Sequence, residues 1–312
     1  MVGYPEQLTD PSYAGQILIF TYPLIGNYGV PSRGLTLIDG LPLHYESNRI
    51  QVEGVIVAEE TSPSHWSSIM SFHEWLALEG VPGISGVDIR FLVKIIREEG
   101  SMMGLIHVCN VHDNVNIAEL YAKLMEAPKY DELNFIPRVS PKEPIIHEPN
   151  GKVKATIVLI DCGVKFGILR EILSRGLRVI RIPFNYSLDK VISSFNVDGV
   201  ILSNGPGNPE LLREVQESAL IALEYKLPIL GICLGNQILA LALGGKTFKL
   251  KYGHRGANKP VINLRNGSCF VTTQNHGYAV DPESIRDSGL KVWFINADDR
   301  TVEGLYHSKL PL

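Results

Sequence analysis

The second half of the chain alternates short apolar strands with helices, and this alternation limits its fold more than any other feature of the sequence. Strands this short and this uniformly apolar are typical of parallel sheets that helices cover on both faces. We therefore predict an α/β fold with a doubly wound, mostly parallel sheet. The predicted strands are 155–160, 178–182, 199–202 and 228–232, and the predicted helices are 165–175, 188–195, 209–224 and the segment that follows Cys233.

Two other regions depart from this alternation. Beyond residue 245, strands follow one another without helices between them, which predicts appended antiparallel structure. The region 1–140 mixes strands with amphipathic helices and is predicted as a separate β/α domain, while the proline-rich segment 141–154 is typical of a linker before the main domain, 155–312. The elements predicted in these regions are strands 16–22, 54–58, 260–264, 269–273 and 291–295, and helices 67–79, 88–99 and 117–126.

Charge and hydropathy exclude several classes of protein. The 312 residues carry a net charge of −4 without a basic run, which argues against nucleic acid or an anionic membrane as partner. No apolar stretch is long enough to cross a bilayer, and the first residues lack a signal-peptide pattern. The 4 cysteines are scattered and form neither a metal pair nor a disulfide framework, which is typical of a reducing compartment. We expect a cytoplasmic protein in which Cys109, Cys162 and Cys269 are core residues.

The segment 228–245 carries the strongest chemical signal. An apolar strand runs into Gly231-Ile232-Cys233-Leu234-Gly235, and a helix follows at once. This is the pattern of a nucleophile elbow, in which Cys233 is the nucleophile on a strained turn. The Leu234 N–H can stabilise an oxyanion, and the helix N-terminus favours the thiolate. The alternative is a buried free cysteine between a strand and a helix.

Two further segments follow predicted strands, and we expect them to gather with the elbow at the carboxyl edge of the sheet. The segment 203–209 reads Ser-Asn-Gly-Pro-Gly-Asn-Pro, and its glycines allow backbone N–H groups to face a ligand. The alternative is an ordinary turn before a helix. The segment 273–278 is predicted as a loop in which Asn275 binds a polar substrate, while His276 is interpreted as structural or solvent-facing.

Taken in order, these three motifs resemble the class I, triad-type glutamine amidotransferase domain. The first half narrows the resemblance, because 1–13, 21–27 and 86–90 are similar to the amino-terminal domain of carbamoyl-phosphate synthase small chains, as is 249–260. The resemblance extends over essentially all 312 residues. Other amidotransferases of this class lack that amino-terminal domain, which argues against the glutaminase half of anthranilate or GMP synthesis.

The resemblance implies a glutaminase reaction at Cys233. The sulfur would attack the side-chain amide of L-glutamine, giving a γ-glutamyl thioester and free ammonia. The backbone N–H groups of Leu234 and Gly207 would hold the oxyanion. The residues that would line the glutamine pocket are Ser12 from the first domain, Gly205, Gly207, Leu234, Gln237, Asn275, Gly277 and Tyr278.

The resemblance also implies a partner, the carbamoyl-phosphate synthase large chain. Ammonia would pass to that chain and meet carboxyphosphate made from bicarbonate and ATP. The product would be carbamoyl phosphate for arginine and pyrimidine synthesis. ATP and Mg²⁺ would belong to the large chain. No cofactor or metal is expected on this chain, which has no P-loop.

One part of the family's pattern has no counterpart in this sequence. The family takes its base from a Gly-His-Pro-Glu segment in which His activates the cysteine and Glu orients the His, and residues 1–312 contain no such segment. We expect the natural chain to be longer at both ends. We also expect these residues alone to have little or no glutaminase activity until the carboxyl-terminal segment is added. Substitution for the base by His254, His276 or His307 is not expected, since a base must lie within hydrogen-bond reach of the thiol.

The absent His–Glu pair leaves one alternative function open, a non-catalytic subunit that docks on the large chain or stabilises it. The argument against it is that Cys233, Gly205-Pro206-Gly207 and Gln237 are all intact, since a site without catalysis does not need them. Asn236 stands where many family members carry His. A modest effect is expected there, because asparagine still donates and accepts hydrogen bonds.

Overall fold

The structure, a computed structural model, describes residues 3–22, 24–34 and 37–312, and its contacts divide the chain into two units, Met1–Leu133 and Asn134–Leu312. Each unit has its own hydrophobic core. Met1, Val2 and Pro23, which belong to the amino-terminal motifs, lie outside the described residues. No helix within the described ranges is long and apolar enough to span a membrane.

The first unit is built from short strands and helices around an aromatic core. Its largest fully buried side chains include Tyr4, Phe20, Tyr45 and Phe72. The elements of this unit are α1 (Tyr4–Thr9), a 3₁₀ helix (Pro11–Tyr13), β1 (Ile17–Ile19), β2 (Leu24–Ile25), β3 (Val30–Pro31), β4 (Leu37–Ile38), β5 (Leu41–Pro42), β6 (Gly54–Ile56), β7 (Glu59–Glu60), β8 (Ser68–Met70), α2 (Phe72–Glu79), β9 (Gly83–Ile84), α3 (Ile89–Glu99), α4 (Ile117–Glu126) and a 3₁₀ helix (Tyr130–Glu132). Strands β1, β6 and β9 form a parallel sheet.

The helix predicted over 67–79 is partly wrong, because its first residues form strand β8. Ser71 sets the true start of α2 as a capping box: its side chain accepts the N–H of Glu74, whose carboxylate accepts the N–H of Ser71. A helix cannot extend backwards through such a cap. Helices α3 and α4 lie close to their predicted spans, and Asp88 caps α3 as expected.

The second unit contains a parallel sheet with one antiparallel edge. Its elements are α5 (Ile136–Val139), β10 (Ile145–His147), β11 (Ala155–Asp161), α6 (Phe166–Ser174), β12 (Leu177–Pro183), α7 (Leu188–Ser194), β13 (Gly199–Leu202), a 3₁₀ helix (Pro209–Leu211), α8 (Arg213–Glu224), β14 (Ile229–Gly231), α9 (Leu234–Ala242), β15 (Thr247–Asn263), β16 (Cys269–Val280), β17 (Leu290–Asn296) and β18 (Val302–His307). The sheet order is β10-β12-β11-β13-β14. Strands β11 to β14 pair in parallel, and β10 pairs antiparallel with β12.

Two details of this sheet differ from the prediction. The segment predicted as a linker contributes the edge strand β10, whose signal is hidden among prolines. The helix predicted over 209–224 is divided into a 3₁₀ turn and α8, because Asn208 caps the short turn before Leu212 interrupts it. The predicted strands become β11 to β14, and apolar side chains of all four lie in one core with side chains of α7, α8 and α9.

The four strands after α9 form a closed antiparallel barrel in the order β15-β16-β18-β17. The predicted loop at 273–278 is wrong: β16 runs from Cys269 to Val280, because most of these polar residues pair with the neighbouring strand β15. Strand β15 is also longer than predicted, and β18 was not predicted. The predicted fold class is nevertheless confirmed, a mixed α/β protein with a mostly parallel sheet and appended antiparallel strands.

Candidate active site

Cys233 lies between the end of β14 and the first residue of α9, where it is the N-cap of the helix. Its backbone has φ 53° and ψ −105°, a conformation that costs a non-glycine residue roughly 1–3 kcal/mol. The residue is half-buried. The sulfur therefore sits on a strained turn at a helix N-terminus, which is the geometry of a nucleophile elbow.

The glycines on either side of Cys233 allow this turn to pack. A Cβ on Gly235 would lie 2.2 Å from the carbonyl oxygen of Leu202 in β13, and a Cβ on Gly231 would lie 2.6 Å from the Gly235 backbone. Both distances are far inside the about 3.5 Å at which non-bonded heavy atoms attract. Only glycine therefore lets α9 approach β13 and β14 so closely.

The glycine-proline-glycine turn after β13 lies against the elbow. A Cβ on Gly205 would lie 2.1 Å from the Cys162 carbonyl oxygen and 2.9 Å from Leu234 Cδ2, so this turn touches the first residue of α9. Gly207 has φ 90°, which favours glycine. Ser203 fixes the start of the turn, because its Oγ accepts the Cys162 N–H at 2.8 Å.

The segment 275–278 of β16 meets the elbow helix from the barrel side. The Cys233 Sγ lies 3.8 Å from the Asn275 carbonyl oxygen. Gln237, in the first turns of α9, donates from Nε2 to the Tyr278 carbonyl oxygen at 2.7 Å. Gly277 lies between these two contacts along β16. The structure thus brings together the elbow, the glycine-proline-glycine turn and this segment, although the segment is a strand rather than a loop.

Ser12 belongs to the other unit. It lies in the 3₁₀ helix Pro11–Tyr13, is buried, and its N–H bonds the Asp10 side chain at 2.9 Å. Its predicted place in a glutamine pocket stays a prediction.

The remaining cysteines divide into two classes. Cys162 is fully buried, and burial raises the pKa of its thiol well above the ordinary value. The expectation that Cys109 and Cys269 are core residues is wrong, because both are exposed. Cys233 is half-buried, and its sulfur contacts the Asn275 carbonyl oxygen.

The ring nitrogens of the three histidines considered as substitute bases contact carboxylates or backbone groups rather than the Cys233 sulfur. His254 contacts Glu303 through Nδ1 at 2.9 Å and Asp299 through Nε2 at 2.8 Å. His276 contacts the Tyr278 carbonyl through Nδ1 at 2.9 Å, and its Nε2 lies 3.1 Å from Glu303 Oε2. The ring nitrogens of the third, His307, contact the Ser288 carbonyl and the backbone N–H groups of Lys309 and Leu310.

His254 of β15, His276 of β16 and Glu303 of β18 therefore form a cluster on the barrel strands, in which His254 is buried and the other two are partly buried. One donor atom of each residue lies within 4.8 Å of the others, a spacing that can hold a metal ion. Both imidazoles, however, already lie at hydrogen-bond or ion-pair distance from the Glu303 carboxylate. Sequence reasoning missed this cluster, because the members come from β15, β16 and β18 and share no spacing motif.

The charges of this cluster stabilise one another. Burial alone lowers the pKa of His254, but the bonds and charges of Glu303 and Asp299 outweigh it and raise that pKa above its ordinary value. Burial alone raises the pKa of Glu303, but contacts from the two histidines outweigh it and lower that pKa to about 2. Burial also opposes the lowered pKa of Asp299, which bonds from Thr301 and His254 produce.

Two family models match separate parts of the chain. Residues 1–106 match the family model described as carbamoyl-phosphate synthase small chain, CPSase domain, and residues 158–312 match glutamine amidotransferase class-I. The carbamoyl phosphate synthase small chain of Pyrococcus furiosus is 55% identical over 312 residues, which are 100% of this chain and 82% of that one. The small chain of Sulfurisphaera tokodaii is 49% identical, over 100% of this chain and 81% of that one. The carbamoyl phosphate synthase arginine-specific small chain of Neurospora crassa is 45% identical, over 100% of this chain and 67% of that one.

The identity with these relatives extends across both units, and the amidotransferase match includes all three motifs around Cys233. This chain belongs to the carbamoyl-phosphate synthase small chain family.

Proposed function

We propose that this chain is the glutamine-hydrolysing subunit of a carbamoyl-phosphate synthase. The Cys233 sulfur attacks the carboxamide carbon of L-glutamine, the carbon–nitrogen bond breaks, and the nitrogen leaves with a proton as ammonia. Water then hydrolyses the thioester to glutamate and restores the thiol. The observation that carries this proposal is the strained backbone of Cys233 at the N-terminus of α9.

The surroundings of the sulfur support this assignment. The Leu234 N–H belongs to the first turn of α9, where N–H groups have no acceptor within the helix. The turn with Gly205 and Gly207 lies against Leu234, so a second backbone donor is available near the same position. Two donors of this kind can stabilise the oxyanion of a tetrahedral intermediate. In this proposal the residues that border the substrate are Gln237, Asn275, Gly277 and Tyr278.

Ammonia released here passes to the large synthetase chain with which this subunit forms a heterodimer in the cytoplasm. ATP and Mg²⁺ act on that partner, and the product carbamoyl phosphate serves arginine and pyrimidine synthesis. The family of the relatives supports this role, and the name of one relative is specific to arginine.

The base that activates Cys233 is not assigned within these residues. No Gly-His-Pro-Glu segment occurs in residues 1–312, and His254, His276 and His307 direct both ring nitrogens to other partners. We therefore expect these 312 residues without a partner to release glutamate slowly, because loss of a triad member costs several orders of magnitude in rate.

The experiment adds the carboxyl-terminal segment that supplies the base and compares two nitrogen donors in the complex with the large chain of the same organism. We expect Cys233→Ala to abolish carbamoyl phosphate synthesis from glutamine and to leave synthesis from ammonium ions intact, because the synthetase reaction needs only ammonia. A glutamine-analogue electrophile should label Cys233, and excess glutamine should prevent that labelling. The matched control is Cys269→Ala, which removes an exposed thiol of the same unit.

Each outcome separates the candidate functions. Glutamine-dependent synthesis that survives in Cys233→Ala would refute the assignment of the nucleophile. A complex that uses ammonium but never glutamine, with an unlabelled Cys233, would favour the alternative of a docking subunit without catalysis.

A further inference from the structure

One buried ring nitrogen on the barrel strands lacks a hydrogen bond. Only 10% of the His276 side chain is exposed, and its Nε2 atom is buried. Glu303 Oε2 lies 3.1 Å from this atom, but among the described residues no group meets it with the geometry of a hydrogen bond. Native structures rarely leave a buried polar atom in this state, so the nitrogen points to a ligand such as an ion.

The other nitrogen of each imidazole in the cluster already has a partner. His276 donates from Nδ1 to the Tyr278 carbonyl oxygen at 2.9 Å, because a carbonyl only accepts. His254 Nε2 lies 2.8 Å from Asp299 Oδ2. In neutral rings, these contacts leave the lone pairs on His276 Nε2 and His254 Nδ1. Histidines that bind metals have this arrangement, with one nitrogen on the ion and the other donating to a carbonyl or carboxylate.

The two nitrogens with lone pairs lie next to one carboxylate. Glu303 Oε1 lies 2.9 Å from His254 Nδ1, and Glu303 Oε2 lies 3.1 Å from His276 Nε2. One potential ligand atom of each residue lies within 4.8 Å of the others. In a tetrahedral zinc site with bonds of about 2.1 Å, ligand atoms lie about 3.3 Å apart, which is close to the two distances from Glu303. A cation among these atoms attracts all three.

The carboxylate is held by a buried amide. Asn296 is fully buried, and its Nδ2 donates to Glu303 Oε1 at 3.2 Å. The same Nδ2 lies 3.2 Å from His254 Nδ1, a contact that suits a lone pair on that nitrogen. The Asn296 Oδ1 accepts the Asp298 N–H at 2.8 Å, which defines the amide orientation. Each potential ligand therefore has an outer partner, as ligands of metal sites do.

We propose that His254, His276 and Glu303 bind a divalent transition-metal ion, with Zn²⁺ as the expected ion. Imidazole nitrogens suit Zn²⁺, whereas Mg²⁺ and Ca²⁺ prefer oxygen ligands. The two positive charges of the ion balance the carboxylates of Glu303 and Asp299, and binding displaces any proton from the ligand nitrogens. Three protein ligands leave one position of a tetrahedron for water. The ion takes no part in the reaction proposed at Cys233.

The ion joins three strands of the barrel. Its ligands come from β15, β16 and β18, and the only residues recorded as pairing β16 with β18 in the described part of the chain are Val280 and Val302. A bond from the ion to His276 and another to Glu303 therefore link two strands with little pairing of their own. No metal was predicted from the sequence, because the ligands share no spacing motif. We expect bound Zn²⁺ to stabilise the barrel.

The experiment measures Zn²⁺ binding to the small chain after treatment with a chelator and with iodoacetamide, which remove bound metal and block exposed thiols. Isothermal titration calorimetry should show one Zn²⁺ ion per chain. Co²⁺ should give the visible absorption of a four-coordinate ion without a sulfur-to-cobalt charge-transfer band. Zn²⁺ should also raise the Tm, because an ion that binds only the folded chain stabilises it.

Three variants separate this site from other binding. Asp299→Asn should weaken Zn²⁺ binding by about 10- to 100-fold, because it removes the outer partner of His254. Glu303→Gln should weaken binding more than Asp299→Asn does, because it removes the anionic ligand itself. The matched control is Asp298→Asn, which removes a carboxylate that faces Lys259 at 3.8 Å, and it should bind Zn²⁺ like the wild type.

A wild-type chain that takes up neither Zn²⁺ nor Co²⁺ overturns the proposal. Binding that keeps its full strength in Glu303→Gln is adventitious and also overturns it. Far-ultraviolet circular dichroism shows whether Glu303→Gln folds. If it does not fold, the Co²⁺ spectrum of the wild type and the Asp299→Asn titration decide: a six-coordinate or sulfur-bound ion, or unchanged affinity in Asp299→Asn, contradicts the site.

Discussion

Gly235 is the position at which the elbow tolerates least change, and Gly235→Ala tests the reasoning about its packing. The added Cβ would lie 2.2 Å from the Leu202 carbonyl oxygen, 2.7 Å from its carbonyl carbon and 2.8 Å from its Cβ. Neither side can yield by rotating a flexible side chain, because the atoms belong to β13 and α9. Overpacking of a well-packed core costs about 1–3 kcal/mol, and the backbone overlap places this change at about 3 kcal/mol or above. A domain of this size loses about 2–4 °C in Tm per kcal/mol, so the expected fall is roughly 6–12 °C.

The assay is thermal and urea unfolding of the chain, followed by far-ultraviolet circular dichroism, with Gly277→Ala as the control. A Cβ on Gly277 meets nothing nearer than the Arg255 guanidinium at 3.5 Å, which is an ordinary contact. Gly277→Ala should therefore unfold close to the wild type. If Gly235→Ala and Gly277→Ala unfold at the same temperature, the close approach of α9 to β13 is not the reason for glycine at 235.

Two further substitutions test the strain and the buried charge of the second unit. Cys233→Gly should be more stable than Cys233→Ala by about 1 kcal/mol, because glycine adopts the positive φ without strain; equal urea midpoints for the two would argue against a strained elbow. Asp161→Asn should lower the free energy of unfolding by about 3–5 kcal/mol, because it leaves the largely buried Arg181 unpaired. Urea unfolding measures that loss, and a loss no greater than that of the exposed-pair variant Glu283→Gln would contradict it.

Local spacing was sufficient to predict the elbow. Gly231, Cys233 and Gly235 fall within five consecutive residues, and the strand before them and the helix after them have clear apolar patterns. The physical requirement is equally local, since the turn needs a strained residue and two positions without side chains. The same holds for the parallel strands, whose uniformly apolar residues are typical of burial on both faces.

Long-range pairing explains what the sequence did not predict. The segment 273–278 is polar and contains glycine, which is typical of loops, but β15 supplies a pairing partner along most of its length. The cluster around Glu303 depends on three strands that are far apart in the chain, so no window of sequence contains it. Cys109 and Cys269 are exposed for a related reason: cysteine is commonly buried, but burial is decided by which surface each strand or loop presents.

The short edge strand β10 has a consequence for self-association. Open sheet edges recruit strands from other molecules, and here the edge that β12 would expose is occupied by only three residues, Ile145–His147. Pro144 stands immediately before them and Pro149 two residues after, and neither can donate a hydrogen bond to an incoming chain. This stretch of chain thus protects the edge of the sheet. It ends the ladder of hydrogen bonds and disfavours the addition of strands from neighbouring copies, which would build a fibril.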